Sequence, residues 1–136
     1  MSNELMNLAN NVESNDFFTS CVPQTEEERV MLYKAMTAPD MKLSDLINTE
    51  IVLRDYTLEK VVLTDEDGTE REAIRIGLIC LDGTTITTIS NGVLRALKAL
   101  CAIYGAPTWK EGIKVKVQQL ERNGRRIFNL VPVFKG

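Results

Sequence analysis

The sequence predicts a mainly β domain with α-helix, built as a five-stranded antiparallel barrel that follows an N-terminal helical or extended segment. From residue 49 onward, apolar residues recur with a period of two, which is typical of strands. Turn signals divide this part into three meandering strands, one helix and a hairpin. The resulting order, β-β-β-α-β-β, is that of an OB-type barrel. We therefore predict an OB-type domain over residues 49–136, with residues 1–48 as an arm and helix packed on it.

The N-terminal segment contains one well-marked helix. Residues 1–12 are polar and Asn-rich, which favours a loose or helical arm, and residues 16–22 contain a candidate extra strand. In "TEEERVMLYKAM", Thr25 and Glu28 have the spacing of a capping box, and Pro39 lies just beyond the end of the segment. The next stretch, "KLSDLI", is expected to form a helical turn before the first long strand.

The barrel strands are separated by short turns. "TEIVLRDYTLEKVVLT" predicts a long strand with a bend or bulge, because no single alternation fits it throughout. "DEDG" and "DG" predict the two turns that lead into "EAIRIGLICL" and "TTITTIS". The last hairpin pairs "IKVKVQQL" with "IFNLVPVF" across the tip "ERNGRR", whose Asn-Gly is a hairpin turn signal.

The segment between these hairpins predicts a helix over residues 91–104. Ser90 is a natural N-cap, and Gly105 and Pro107 follow the end of the helix. The apolar residues that form one stripe are Val93, Leu97, Leu100, Cys101 and Tyr104. We expect this stripe to plug the bottom of the barrel. The single glycine of "ISNGV" does not match a phosphate-binding loop, so Gly92 is expected to allow close helix packing instead.

The composition excludes several classes of function. The chain has no histidine, and its three cysteines show no CxxC spacing, which excludes the usual nucleophile pairs and zinc sites. We therefore predict a protein that is not an enzyme and has no cofactor and no metal. No apolar run approaches a membrane span, and no secretory signal is present, so we expect a cytoplasmic protein with reduced thiols.

Charge is distributed unevenly along the chain. Residues 1–70 contain 5 Lys+Arg and 15 Asp+Glu, whereas residues 71–136 contain 11 Lys+Arg and 4 Asp+Glu. A basic half beside an acidic half suggests a polyanionic partner, although two solvated faces are an equally good explanation. Single-stranded nucleic acid needs cations for its phosphates and flat side chains for its bases. The candidate binding residues of these two kinds are Arg75, Lys114, Lys116, Arg122, Arg125, Arg126, Tyr56, Trp109 and Phe128.

Each candidate also has a structural explanation. Arg75, outward on its strand, needs either a phosphate or a local carboxylate. Lys114 and Lys116 could protect an edge strand from aggregation. Trp109 could seal the bottom of the barrel, and the other two aromatic residues could belong to the core.

Much of the chain resembles a known protein family. The segments "RIGLICLDGTTITTISNGVLRALKAL", "GAPTW", "IKVKV", "TEEERVMLYKAM" and "KLSDLINTEIVLRDY", with the final basic hairpin, resemble small phage-encoded single-stranded DNA-binding proteins. The resemblance implies an OB-fold protein that coats ssDNA in phage DNA replication or recombination, in the host cytoplasm. Phage recombination or replication proteins are then further candidate partners, and oligomerisation is an open expectation. The alternative is an OB-fold protein-interaction module whose basic face binds an acidic protein.

Overall fold

The computed structural model describes residues 17–133, and the seven strands within this range form one sheet. The strands are β1 (Phe17–Thr19), β2 (Met41–Lys42), β3 (Glu50–Thr64), β4 (Glu70–Cys80), β5 (Thr85–Thr88), β6 (Ile113–Arg122) and β7 (Arg125–Pro132). Their order is β2-β5-β4-β3-β6-β7, and β1 pairs with β3 next to β6. The β2–β5 pair is parallel and all other pairs are antiparallel. The predicted arm over residues 1–12 lies outside the described residues.

The helices begin and end close to where the sequence places them. They are α1 (Glu26–Thr37), a short 3-10 helix (Leu43–Leu46) and α2 (Asn91–Tyr104). At the start of α2, the Ser90 hydroxyl accepts a hydrogen bond from the Val93 N–H at 3.2 Å. At the start of α1, the Thr25 hydroxyl does the same for Glu28. Both predicted N-caps are therefore confirmed, because each supplies an acceptor to a backbone donor that has no partner within the helix.

The predicted strand order is confirmed, but the predicted barrel needs correction. The strand-strand-strand-helix-strand-strand order runs from β3 to β7, and β3 carries the expected irregularity between Leu53 and Asp55. The sheet is mixed rather than antiparallel throughout, because β2 adds to β5 in parallel. Within residues 17–133, β5 and β7 do not pair, so the sheet is a strongly curled half-barrel rather than a closed five-stranded barrel.

The main core lies between the concave side of the sheet and α2. Val93, Leu97 and Leu100 of α2 are buried with alternate residues of the strands, such as Ile76 and Val115. The alternation of β6 is confirmed, because its inward residues are buried and Lys116, between two of them, is exposed. The apolar stripe of α2 is therefore buried against the sheet, but the closed barrel that it was predicted to plug is not formed within the described residues. The stripe ends earlier than predicted, since Tyr104 is 51% exposed.

The outer face of the sheet is covered by α1. Leu32 and Ala35 of α1 form a second buried cluster with Ile79 of β4 and with Cys21. The helix can approach this closely because β4 has a glycine at the contact. A Cβ on Gly77 would lie 3.0 Å from the Ala35 carbonyl oxygen and 2.5 Å from the Thr57 hydroxyl. The second half of β4, from Ile76 to Cys80, is therefore packed on both faces.

The two longest hairpins point to opposite ends of the sheet. β3 pairs with β6 antiparallel, with Glu50 opposite Lys116 and Leu53 opposite Ile113. The tip of the β6–β7 hairpin consequently projects beyond the start of β3, whereas the β3–β4 tip lies at its far end. The first tip contains three arginines and the second is the acidic turn at residues 65–68. The basic tip and the acidic turn are therefore separated along β3, whose 14 residue steps span about 45 Å.

Candidate nucleic-acid interface

The outer part of the β6–β7 hairpin carries the densest group of cations without ion-pair partners. It turns through Asn123 and Gly124, whose φ angles of 52° and 78° are the two left-handed positions of a tight hairpin turn. Arg122, Arg125 and Arg126 flank this turn and are exposed. Among residues 17–133, no carboxylate lies within ion-pair distance of any of the three. Their charge is therefore available to an external anion.

Helix α2 holds this hairpin in place. Beyond Val117, β6 pairs only with β7, so the outer hairpin depends on another element for support. Gly92, in the first turn of α2, provides the contact. A Cβ at this position would lie 2.2 Å from the Phe128 carbonyl oxygen and 2.7 Å from the Ile127 side chain. The prediction that Gly92 allows close packing is confirmed, and α2 packs at this point on the β6–β7 hairpin.

A groove of about 250 Å³ runs between α2 and the hairpin. Arg95 of α2 and Arg122 of β6 stand on its two sides, and both side chains are exposed. Its floor is formed by half-buried residues of β7, including Ile127, Phe128 and Asn129. Two of its lining residues, Arg95 and Asn129, were not among the binding residues predicted from the sequence. For Arg95 a signal was present, because it is a cation outside the apolar stripe of the helix.

The two predicted lysines of β6 differ in their surroundings. Lys114 forms an ion pair with Glu50 at 3.3 Å, so part of its charge is already neutralised. Lys116 is exposed and forms no ion pair within the described part of the chain. The structure therefore places Lys116, but not Lys114, with the unpaired cations of the hairpin strands.

Arg75 has a carboxylate partner on the neighbouring strand. Its Nη2 and Nε atoms lie 2.6 Å and 3.2 Å from Glu59 Oε1. The register of β3 and β4 sets these two residues directly opposite each other. Of the two partners that the sequence left open for Arg75, the local carboxylate is the one observed.

The predicted aromatic candidates are mostly packed inside the protein. Trp109 is 7% exposed, and its indole N–H donates to the Gly105 carbonyl at 2.9 Å. The ring of Tyr56 lies between Phe18 and Trp109, with centroid distances of 6.0 Å and 6.4 Å. Burial raises the pKa of Tyr56, so its hydroxyl stays neutral. Trp109 is therefore buried, whereas Tyr56 is half-buried and packed against other rings, and Phe128 is half-buried on the groove floor.

A buried carboxylate fixes the loop that follows α2. Asp55 is fully buried and accepts hydrogen bonds from the hydroxyls of Ser20 and Thr108, each at 2.9 Å. Arg54 lies beside it, with Nε 3.4 Å from Asp55 Oδ2. Burial is the main cause that raises the pKa of Asp55, and the hydrogen bonds and Arg54 act against it. This cluster joins three separate parts of the chain and is structural in character.

The sequence comparison decides the family. A family model described as phage single-stranded DNA-binding protein, of the phi29 type, matches residues 11–131. The chain belongs to this family. No curated protein and no solved structure matches the chain.

Membership in the phage single-stranded DNA-binding family implies that the protein binds ssDNA. The matched range includes α1, α2 and the whole outer part of the β6–β7 hairpin. Within residues 17–133, no cluster of side chains is suited to hold a metal ion. No helix within that range is long and apolar enough to cross a membrane.

Proposed function

We propose that this phage protein binds and protects ssDNA without sequence preference, by holding the strand in the groove between α2 and the β6–β7 hairpin. The observation that carries the proposal is the group of three unpaired, exposed arginines at the hairpin tip, beside a groove flanked by Arg95 and Arg122. When such cations contact the phosphates of ssDNA, they displace the counterions condensed on the strand, and this release favours binding.

The groove suits a single strand because its floor is partly apolar. Phe128 and Ile127 contribute to the floor, and Leu120, at the rim, is 37% exposed. Unpaired bases have flat apolar faces that gain from contact with such a floor, whereas a duplex hides these faces in its own stack. Arg95 and Arg122 then lie where the backbone phosphates of the same strand would pass.

The floor also favours sequence tolerance. The acceptor of Asn129 is already engaged, because its Oδ1 accepts the Leu130 N–H at 2.9 Å, which leaves only the Nδ2 amide as a donor toward a base. Base-specific recognition needs free donors and acceptors directed at base edges. Stacking and phosphate contacts do not distinguish the bases strongly, so the protein is expected to coat any ssDNA sequence in phage replication or recombination, in the host cytoplasm.

We further infer that the domain is an OB-type fold with a shifted binding surface. The connectivity from β3 to β7, with a helix between the third and fourth of these strands, supports this assignment. OB folds commonly bind on the outer face of their second and third strands, which here are β4 and β5. Since α1 packs on that face, the open basic surface is instead the hairpin and α2.

The test is a titration of fluorescent ssDNA, matched duplex DNA and RNA at two salt concentrations. The proposal predicts salt-sensitive ssDNA binding that is tighter than duplex binding and similar for mixed and homopolymer sequences. Absence of an ssDNA complex at micromolar protein and low salt would refute it. If nucleic acid fails to bind and an acidic peptide competes for the hairpin arginines, the protein-interaction module is the better explanation.

A further inference from the structure

A second cavity, of about 380 Å³, lies at the edge of α1 on the outer face of the sheet. Its lining residues are Phe17, Tyr33, Met36, Thr37, Glu59 and Arg75. Tyr33 is 70% exposed and Phe17 is 38% exposed, which is unusual for large aromatic side chains. Two exposed aromatic side chains, Phe17 and Tyr33, therefore border the same cavity as Arg75.

The polar side of this cavity is electrically neutral but not saturated with hydrogen bonds. Both donors of Arg75 that contact Glu59 bind the same oxygen, Oε1. Within residues 17–133, Glu59 Oε2 and Arg75 Nη1 have no hydrogen-bond partner. The Arg75 side chain is 41% exposed and the Glu59 side chain 20%. The pair thus offers one acceptor and one donor to a ligand in the cavity.

We propose that this cavity holds one nucleobase of the bound ssDNA, stacked against Tyr33 and Phe17 with its polar edge toward Glu59 and Arg75. This inference rests on the proposed function and extends it to a site outside the basic groove. It assigns recognition of a base to residues of β1 and α1, which the sequence did not indicate as binding residues.

The charge balance favours a base over a phosphate. A phosphate at this position would meet the negative charge of Glu59 as well as the positive charge of Arg75. A neutral planar base meets no such repulsion, and aromatic rings beside an arginine plane are a common surface for unstacked bases. Every base has both donors and acceptors on its edges, so one acceptor and one donor do not select strongly among them. The site is consistent with sequence-tolerant binding.

The test needs a DNA strand that is long enough to extend from the groove to this cavity. Glu59 lies nine residues along β3 from Glu50, which is about 30 Å of strand. An oligonucleotide of about 20 nucleotides exceeds the ~4–16 nucleotides that one OB fold occupies, so it is long enough to test the site.

The experiment compares Tyr33→Ala with wild type on two ligands of equal length, oligo-dT and a chain of abasic sugar-phosphates. Tyr33 is largely exposed and its side chain makes no hydrogen bond within the described residues, so the variant should fold normally. The matched control is Tyr104→Ala, at the exposed end of α2. We expect Tyr33→Ala to weaken oligo-dT binding by about fivefold or more, as loss of one base stack does, and to leave abasic-chain binding unchanged. Tyr104→Ala should change neither.

The outcomes separate the two proposals. If Tyr33→Ala weakens both ligands equally, or neither, no base occupies the cavity and this inference is wrong while ssDNA binding stands. If wild type fails to bind oligo-dT at all, the proposed function itself fails and the base site fails with it. A second variant, Phe17→Ala, should reproduce the selective loss on oligo-dT, and an unchanged affinity for that ligand in both variants would overturn the site.

Discussion

Neutralising the hairpin tip should change the salt dependence of ssDNA binding by an amount that the structure sets. The perturbation is the triple substitution of Arg122, Arg125 and Arg126 by glutamine, which keeps side-chain bulk and removes three charges. All three side chains are exposed and without ion-pair partners in the described range, so the free energy of unfolding should stay within about 0.5 kcal/mol of wild type.

The magnitude follows from counterion release. For single strands, each neutralised phosphate contributes about 0.7 to the slope of log K against log salt. If each arginine contacts one phosphate, the variant's slope should be shallower by about 2. Between about 50 and 200 mM salt, wild type should then lose about 20-fold more affinity than the variant.

The assay is fluorescence anisotropy of labelled oligo-dT across this salt range. The matched control removes three other exposed charges that form no ion pair in the described range, Lys42, Lys60 and Lys110, which lie outside the hairpin and leave the same net charge. Its slope should stay close to that of wild type. Equal slopes in all three proteins would refute the assignment of phosphate contacts to the hairpin, and equal loss of slope in both variants would show that only net charge matters.

Three further predictions concern the packing of α2, the buried Asp55 and the wall of the groove. Gly92→Ala should lower the free energy of unfolding by about 1–3 kcal/mol in chemical denaturation, because the new Cβ would overlap the Phe128 carbonyl. If α2 did not contact the hairpin here, the same change would raise the free energy of unfolding by up to about 1 kcal/mol, since alanine favours helix more than glycine does. As pH rises above 3.8, wild type should lose stability, because burial raises the pKa of Asp55 in the folded protein and the carboxyl ionises more readily in the unfolded chain. Asp55→Asn lacks this loss, so its free energy of unfolding should rise relative to that of wild type. A constant difference across the pH range would contradict the burial of the Asp55 charge. Arg95→Ala should weaken oligo-dT binding several-fold while Lys110→Ala, an exposed cation outside the groove, should not; equal affinities of the two variants would remove Arg95 from the interface.

The locally encoded parts of the fold could be predicted from the sequence. Ser90 and Gly105 mark the ends of α2 because caps act through backbone groups a few residues away. The Asn-Gly turn and the alternation of β6 are short-range signals of the same kind. These features placed the basic hairpin and the supporting helix in their correct order.

The parts that depend on distant pairs could not be predicted. The ion pair of Arg75 is with Glu59, 16 positions earlier, and only the β3–β4 register brings the two together. The position of α1 on the outer face depends on a close approach between Ala35 and Gly77, which no local pattern reveals. Trp109 looked equally suited to stacking or packing, because a lone aromatic residue carries no periodicity.

The path of ssDNA over the molecule can be measured directly by backbone amide chemical shifts of isotope-labelled protein during titration with oligo-dT. We expect the largest shifts at residues 118–129 of the outer hairpin and at residues 91–99 of α2, with a second group around Tyr33 and Arg75. The acidic turn at residues 65–68 should remain unperturbed, since it repels phosphates and lies at the opposite end of β3 from the basic tip. Shifts centred on that turn, or an unperturbed hairpin at saturating DNA, would contradict the account.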